Sequence, residues 1–134
     1  MRLLGKNSVV TAAGSGIGKA IALGFAQHGA KVVCADIDGS AAEQTAQTIQ
    51  AESGEAIHVE VDVASKDQVK NLFNVAINTF HHIDILLSGP GISTTRNFLD
   101  LPEDEWNRVM DVSLKGMYLT GQIAARHMAK QGGG

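Results

Sequence analysis

The sequence predicts an α/β fold: an incomplete, doubly wound parallel sheet with strand order 3-2-1-4, in one domain over residues 1–134. Two observations predict the architecture and a third sets its size. Short apolar runs alternate with segments of helical periodicity along the whole chain, and strands that are apolar on both faces belong to a parallel sheet covered by helices on two sides. Right-handed crossovers between successive parallel strands then favour the doubly wound order. The 134 residues, 44% hydrophobic and 19% charged, suffice for one domain with a genuine core and are too few for two.

Each element follows from local signals. Ser8 to Ala13 is a short apolar run that meets a glycine cluster, and it reads as the first strand. From Gly18 to His28, the residues Ile21, Ala22 and Phe25 recur at helical spacing, and Gly29 stops the helix. Lys31 to Ala35 is the second strand. A second helix is predicted from Ser40 to about Ser53, with Ser40 as N-cap and Glu43 completing a capping box. Ala56 to Val63 is the third strand. Ser65 opens a third helix whose apolar face is Val69, Phe73, Ala76 and Ile77. Ile83 to Leu87 is the fourth strand and would lie at the sheet edge. A loop rich in Gly, Pro, Ser and Thr runs from Ser88 to Leu101, and a long helix is predicted from about Pro102 to Lys130. Trp106, Val109, Met110, Met117 and Ile123 are its expected core positions, and Gly132 to Gly134 are expected to fray.

Composition excludes several function classes. A net charge of −3 argues against a nucleic-acid partner. No apolar run is long enough to cross a bilayer or to form a signal peptide, so no membrane partner and a cytoplasmic location are expected. Cys34 is the single cysteine, so no internal disulfide forms, and its place in a strand reads as core. No metal site is expected: His81, His82 and Asp84 resemble ligands only on paper, because they fall in a helix-to-strand turn that reads as solvated.

The residues that carry chemistry cluster at the end of the first strand. Thr11-Ala12-Ala13-Gly14-Ser15-Gly16-Ile17-Gly18 leads directly into a helix. Glycines let backbone N–H groups approach a phosphate closely, and the helix N-terminus adds partial positive charge at the same point. Asp36 ends the second strand, where a carboxylate can accept hydrogen bonds from the ribose hydroxyls of a dinucleotide. It would repel a 2′-phosphate, and Ile37, Asp38 and Gly39 after it supply no cation. The pair of signals points to NAD rather than NADP.

Taken in order, these residues make the chain resemble the short-chain dehydrogenase/reductase family, with its Rossmann-like fold, along its whole length. The family's Thr-Gly-x-x-x-Gly-x-Gly fingerprint matches residues 11–18, with Ala12 in place of the first glycine. Its acid after the second strand matches Asp36, and its Asp-Val pair beside the adenine matches Asp62-Val63. Its Asn-Asn-Ala-Gly falls on Ser88-Gly89-Pro90-Gly91, and its Asn-Leu-Lys-Gly on Ser113-Leu114-Lys115-Gly116. The resemblance implies a cofactor-contacting set of Ala12, Gly14, Ser15, Gly16, Ile17, Gly18, Asp36, Ile37, Asp62, Val63, Ser88, Gly89, Pro90 and Val112. Ser113, at the position of a catalytic asparagine, is the one candidate catalytic residue. The small-molecule partner it implies is an alcohol or ketone, and it implies a homo-oligomer built through the 102–130 helix.

The departures shape the functional reading. Ala12 puts a Cβ where the turn favours positive φ, at a cost on the order of 1 kcal/mol. Ser88 and Gly89 lack amide side chains that tie strands together in the family. The family's catalytic Ser and Tyr-x-x-x-Lys follow a fifth strand, and the chain is expected to stop before it. Tyr118, the single tyrosine, has Gln122 four places on and reads as a packing residue. Three readings stand: the NAD-binding part of an oxidoreductase, inactive alone; a dinucleotide-binding module without turnover; or a remnant without function.

Overall fold

A computed structural model describes all residues, 1–134. The chain runs β1 (Asn7–Thr11), α1 (Gly16–Gln27), β2 (Lys31–Asp36), α2 (Gly39–Ala51), β3 (Ala56–Glu60), α3 (Lys66–Phe80) and β4 (Ile85–Leu87). A 3₁₀ turn (Phe98–Asp100), α4 (Glu103–Met110), a π-helical turn (Asp111–Lys115) and α5 (Gly116–Gln131) complete it. The four strands form one sheet in the order β3-β2-β1-β4, and every pairing is parallel. The predicted order and class are both found.

Strand alternation divides the core into two layers. Val9, Val33, Ala35 and Val59 face one side, where Val69, Leu72, Phe73 and Ala76 of α3 meet Leu119, Ile123 and Ala124 of α5. Val10, Val32 and Cys34 face the other, against Ala22 of α1 and Ala46 and Ile49 of α2. Adjacent residues thus serve opposite layers, which is why the strands read as continuous apolar runs. Phe73 and Leu72 are fully buried, each worth roughly 1.5–3 kcal/mol relative to exposure. The α3 stripe is 69, 72, 73, 76 and 80; Ile77 only borders it.

Several boundaries differ from expectation, each for a local reason. The first strand ends at Thr11, not Ala13, because Ala12 turns to φ +55°. The third ends at Glu60, since Val61 to Val63 turn out toward α3 after one last hydrogen bond from Val61 N–H to the Asp36 carbonyl. The fourth spans Ile85–Leu87, because Asp84 is turned onto Asn7. The second helix is capped by Asp38, whose Oδ1 accepts from Ala41 N–H at 3.0 Å, so Ser40 is already helical and makes no capping box with Glu43. The first helix begins two residues early, at Gly16. Ser65 does cap α3, accepting from Gln68 N–H at 3.4 Å, and Gly29, at φ +92°, does follow the end of α1.

The long C-terminal helix is interrupted rather than uniform. A π-helical turn separates α4 from α5, and α4 buries no residue. Of the expected core positions only Ile123 is buried; Val109 and Met110 are half-buried, and Trp106 and Met117 are exposed. Tyr118 is also exposed, with its hydroxyl accepting from Gln122 Nε2 at 3.1 Å, so it is no packing residue. The glycine tail caps instead of fraying: Gly132 adopts φ +94° and Gly133 N–H returns to the Met128 carbonyl at 2.9 Å. No helix is long and apolar enough to cross a membrane.

Candidate functional site

The parallel sheet brings its carboxyl-terminal strand ends to one edge, where a ligand crevice is expected at the switch point between β1 and β4. The turn after β1 is built by close approach. Ala12 holds φ +55°, and Ala13 N–H bonds the Ala35 carbonyl at 3.0 Å. A Cβ on Gly18 would lie 2.0 Å from the Ala12 carbonyl oxygen, so only glycine lets α1 start beneath the turn. A Cβ on Gly14 would meet the Ala41 Cβ at 2.7 Å and Asp36 Oδ2 at 2.9 Å. Gly16 differs: it holds φ +53°, and nothing lies within 4 Å of the place a Cβ would occupy. Its outer side is open space.

The start of α1 is electrostatically unfilled. Ser15 is its N-cap but makes no side-chain cap hydrogen bond, and the first turn carries no acid. The leading N–H groups of a helix have no intrahelical acceptor and carry partial positive charge. They sit beside the exposed residues Ser15, Gly16 and Ile17.

Asp36 anchors the opposite wall. Its Oδ2 accepts from Gly14 N–H at 2.8 Å and its Oδ1 from Asp38 N–H at 3.0 Å. Each oxygen keeps a second lone pair. Between this wall and α4 lies a cavity of about 240 Å³, lined by Ala12, Ser15, Ala35, Asp36, Ile37, Val61, Asp62, Val63, Pro90, Gly91, Ile92, Arg108 and Val112. A wider cavity of about 470 Å³ lies at the amino-terminal end of β2, near Gly29 and Gly54. The smaller one sits where an open parallel sheet binds ligands.

Eight of the residues singled out in the sequence line this cavity: Ala12, Ser15, Asp36, Ile37, Asp62, Val63, Pro90 and Val112. Gly14, Gly16, Ile17 and Gly18 belong to the turn after β1 and the start of α1 and do not line it. Ser88 and Gly89 do not line it. Ser88 Oγ is 2.8 Å from Thr120 Oγ1, and Gly89 N–H donates to Thr11 Oγ1 at 2.9 Å. Hydroxyls therefore tie β4 to β1 and α5 where amide side chains are absent. Ser113, on the π-helical turn, has its hydroxyl on Ile92, accepting from N–H at 3.1 Å and donating to the carbonyl at 3.0 Å.

Five lining residues escaped the sequence reading of the site: Ala35, Val61, Gly91, Ile92 and Arg108. Ala35 and Val61 neighbour Asp36 and Asp62 and were signalled by those acids. Arg108 carried no signal, because its partner Asp62 is distant in sequence. Its Nη1 lies 3.2 Å from Asp62 Oδ2. Asp36 keeps no ion pair, although a cation does line the same cavity.

At the other end of β1, burial pushes the Asp84 carboxyl up. The Asn7 N–H and the Lys6 ammonium, with the charge of His82 beside it, outweigh that and hold it below the ordinary aspartate range. His81, His82 and Asp84 do occupy the turn between α3 and β4. No group of three or more His, Cys, Asp or Glu residues is placed to hold a metal ion.

Comparison with known proteins accords with this geometry. The family model described as short chain dehydrogenase matches residues 6–134. An uncharacterized oxidoreductase of Thermotoga maritima is 36% identical over 132 residues, covering 98% of this chain and 52% of its own. L-rhamnose 1-dehydrogenase (NAD(P)(+)) of a Sphingomonas species is 42% identical over 137 residues, covering 100% and 54%. The crystal structure of a short-chain type dehydrogenase/reductase from Mycobacterium marinum superimposes with a TM-score of 0.94 at 36% identity, over 97% of this chain and 53% of that one. The chain spans about half the length of the curated relatives it matches. With its sheet order, its glycine turn and this match over nearly every residue, the chain belongs to the short-chain dehydrogenase family.

Proposed function

We propose that this chain is the NAD-binding part of an oxidoreductase that moves a hydride between a nicotinamide cofactor and an alcohol or ketone. The observation that carries the reading is the crevice at the carboxyl ends of β1, β2 and β3, with an uncapped helix start on one side and unpaired Asp36 on the other. The residues present fit a dinucleotide. Open space above Gly16 leaves room for phosphates, and the free N–H groups of α1 complement their charge. Asp36 has lone pairs for ribose hydroxyls.

A bound nicotinamide cofactor would supply the hydride acceptor for an alcohol carbon or the hydride donor for a carbonyl carbon. The residues of this chain bind and orient. Asp36 favours the 2′-hydroxyl over a 2′-phosphate, since no cation pairs with it to offset phosphate charge. Val63, Ile37 and Val112 supply apolar walls for the adenine end. Ser113 acts as a positioning residue, with both polar functions of its hydroxyl on Ile92. The proton at the substrate oxygen is handled by groups outside residues 1–134; Tyr118 is followed four places on by Gln122, not Lys. The exposed apolar side chains Trp106, Leu114, Met117 and Tyr118 support association through the α4–α5 segment.

Titrating the full-length protein with NADH and NADPH by cofactor fluorescence tests the reading. NADH is expected to bind more tightly, and Asp36→Ala is expected to gain affinity for NADPH. Tighter NADPH binding by the native protein, or an Asp36→Ala variant with no gain, contradicts it.

A further inference from the structure

We propose that Arg108 is a positioning residue for the cofactor site, which holds α4 over the cavity and aims the Asp62 carboxylate at the adenine edge. The inference rests on the dinucleotide reading above and assigns a role to a residue that reading does not use.

The argument starts from α4. The helix buries none of its residues, so packing alone does little to fix it against the sheet. Yet Arg108 and Val112, one turn further on, form a wall of the cavity. Two polar ties hold this wall. Glu105 takes Arg96 and Thr94 of the preceding loop, which fixes the loop to the helix. Arg108 takes Asp62, which fixes the helix to the segment after β3. Only the second tie joins two residues that line the cavity.

The choice of partner is informative. Asp104 and Asp111 lie four residues before and three after Arg108 on its own helical path, the spacings at which helical ion pairs form. The guanidinium passes both and reaches across to Asp62. Asp62 is held on its far side too: Oδ1 accepts from Ala64 N–H at 3.0 Å, while its own N–H donates to Gln68 Oε1 at 2.7 Å. Each carboxylate oxygen therefore has one fixed donor and one lone pair left. A carboxylate held this way accepts from an exocyclic amine without first being ordered. Preorganisation of that kind raises affinity by removing an entropic cost of binding.

The test separates this role from a general structural one. The full-length protein and its Arg108→Ala, Arg108→Lys, Asp62→Asn and double Arg108→Ala/Asp62→Asn variants are titrated with NADH and with reduced nicotinamide mononucleotide, which has no adenosine. NADH affinity is expected to fall about two- to fivefold in Arg108→Ala, the range of a solvent-exposed ion pair, and to recover in part in Arg108→Lys. The double variant is expected to bind no more weakly than Asp62→Asn, because Arg108 acts through that carboxylate. Mononucleotide affinity is expected to stay constant throughout. Unchanged NADH affinity in Arg108→Ala refutes the inference alone, and so does equal weakening for both ligands. A native protein that binds neither NADH nor NADPH refutes the cofactor reading together with it.

Discussion

Ala12→Gly should stabilise the protein, and it should do so against the usual direction of point substitutions. Ala12 sits at φ +55°, in the left-handed region that costs an L-residue roughly 1–2 kcal/mol. Glycine removes that strain but adds conformational entropy to the unfolded chain, which takes back about 0.4–1 kcal/mol. The lost methyl is only half-buried, so it forfeits a fraction of the ~0.8 kcal/mol expected for a buried carbon. The net gain is about 0.5 kcal/mol, or a rise in Tm of about 2 °C for a chain of this size. Thermal unfolding followed by far-UV circular dichroism reads it directly. Ser53 and His81, at φ +67° and +70°, are internal replicates, and Ser53→Gly and His81→Gly should shift Tm in the same direction. A lower Tm for all three refutes the strain argument. A lower Tm for Ala12→Gly alone would mean that its methyl does more in packing than its half-buried state implies.

Two further predictions follow from side-chain chemistry. Burial pushes the Cys34 thiol up to about 12, so the thiolate fraction at pH 8 is only about 10⁻⁴; a disulfide reagent should label it only on unfolding, and rapid labelling of the native protein would contradict its place in the core. The Asp84 carboxyl is held low in the fold, so its contribution to stability is present above the unfolded aspartate value of about 3.9 and is lost as pH falls through the lower folded value. Asp84→Asn should therefore lower the urea midpoint at pH 7, by an amount that shrinks as pH falls below about 3.9; a deficit that does not change with pH would show that the charge is irrelevant.

The sheet and its helices were legible in the sequence because their signals are local. Val9-Val10 and Val32-Val33-Cys34 read as two-sided strands, and the 69-73-76 spacing reads as a helix face. What escaped depended on contacts the sequence does not display. Asp38 outcompetes Ser40 as a cap because Ser40 has already entered the helix, a matter of backbone angles. Trp106 and Met117 are apolar at helical spacing, but α4 buries none of its residues and a π-helical turn separates it from α5, which leaves both side chains exposed. Eight of the thirteen lining residues were legible in the sequence, for the same reason as the strands: Asp36 ends β2 and Asp62 follows β3 by two residues, where the sheet delivers them to one edge. Arg108 was not, since no pattern in sequence links it to Asp62. Ser113 was legible as a position but not in its geometry, because its tie to Ile92 depends on how the loop from 88 to 101 folds back.

The central claim is that the glycine turn binds a dinucleotide through its backbone, and Gly16 tests it most directly. Its outer side is open, so the Cβ of a valine there meets no other residue and its branches reach into the space assigned to the phosphates. Its φ of +53° makes some loss of stability expected, on the order of 1–2 kcal/mol, so folding is checked first by the unfolding transition. Isothermal titration of NADH into the full-length protein and into its Gly16→Val variant is the decisive measurement. The account predicts saturable binding by the native protein and none by the folded variant; equal affinity in the two, or no binding by the native protein, would contradict it.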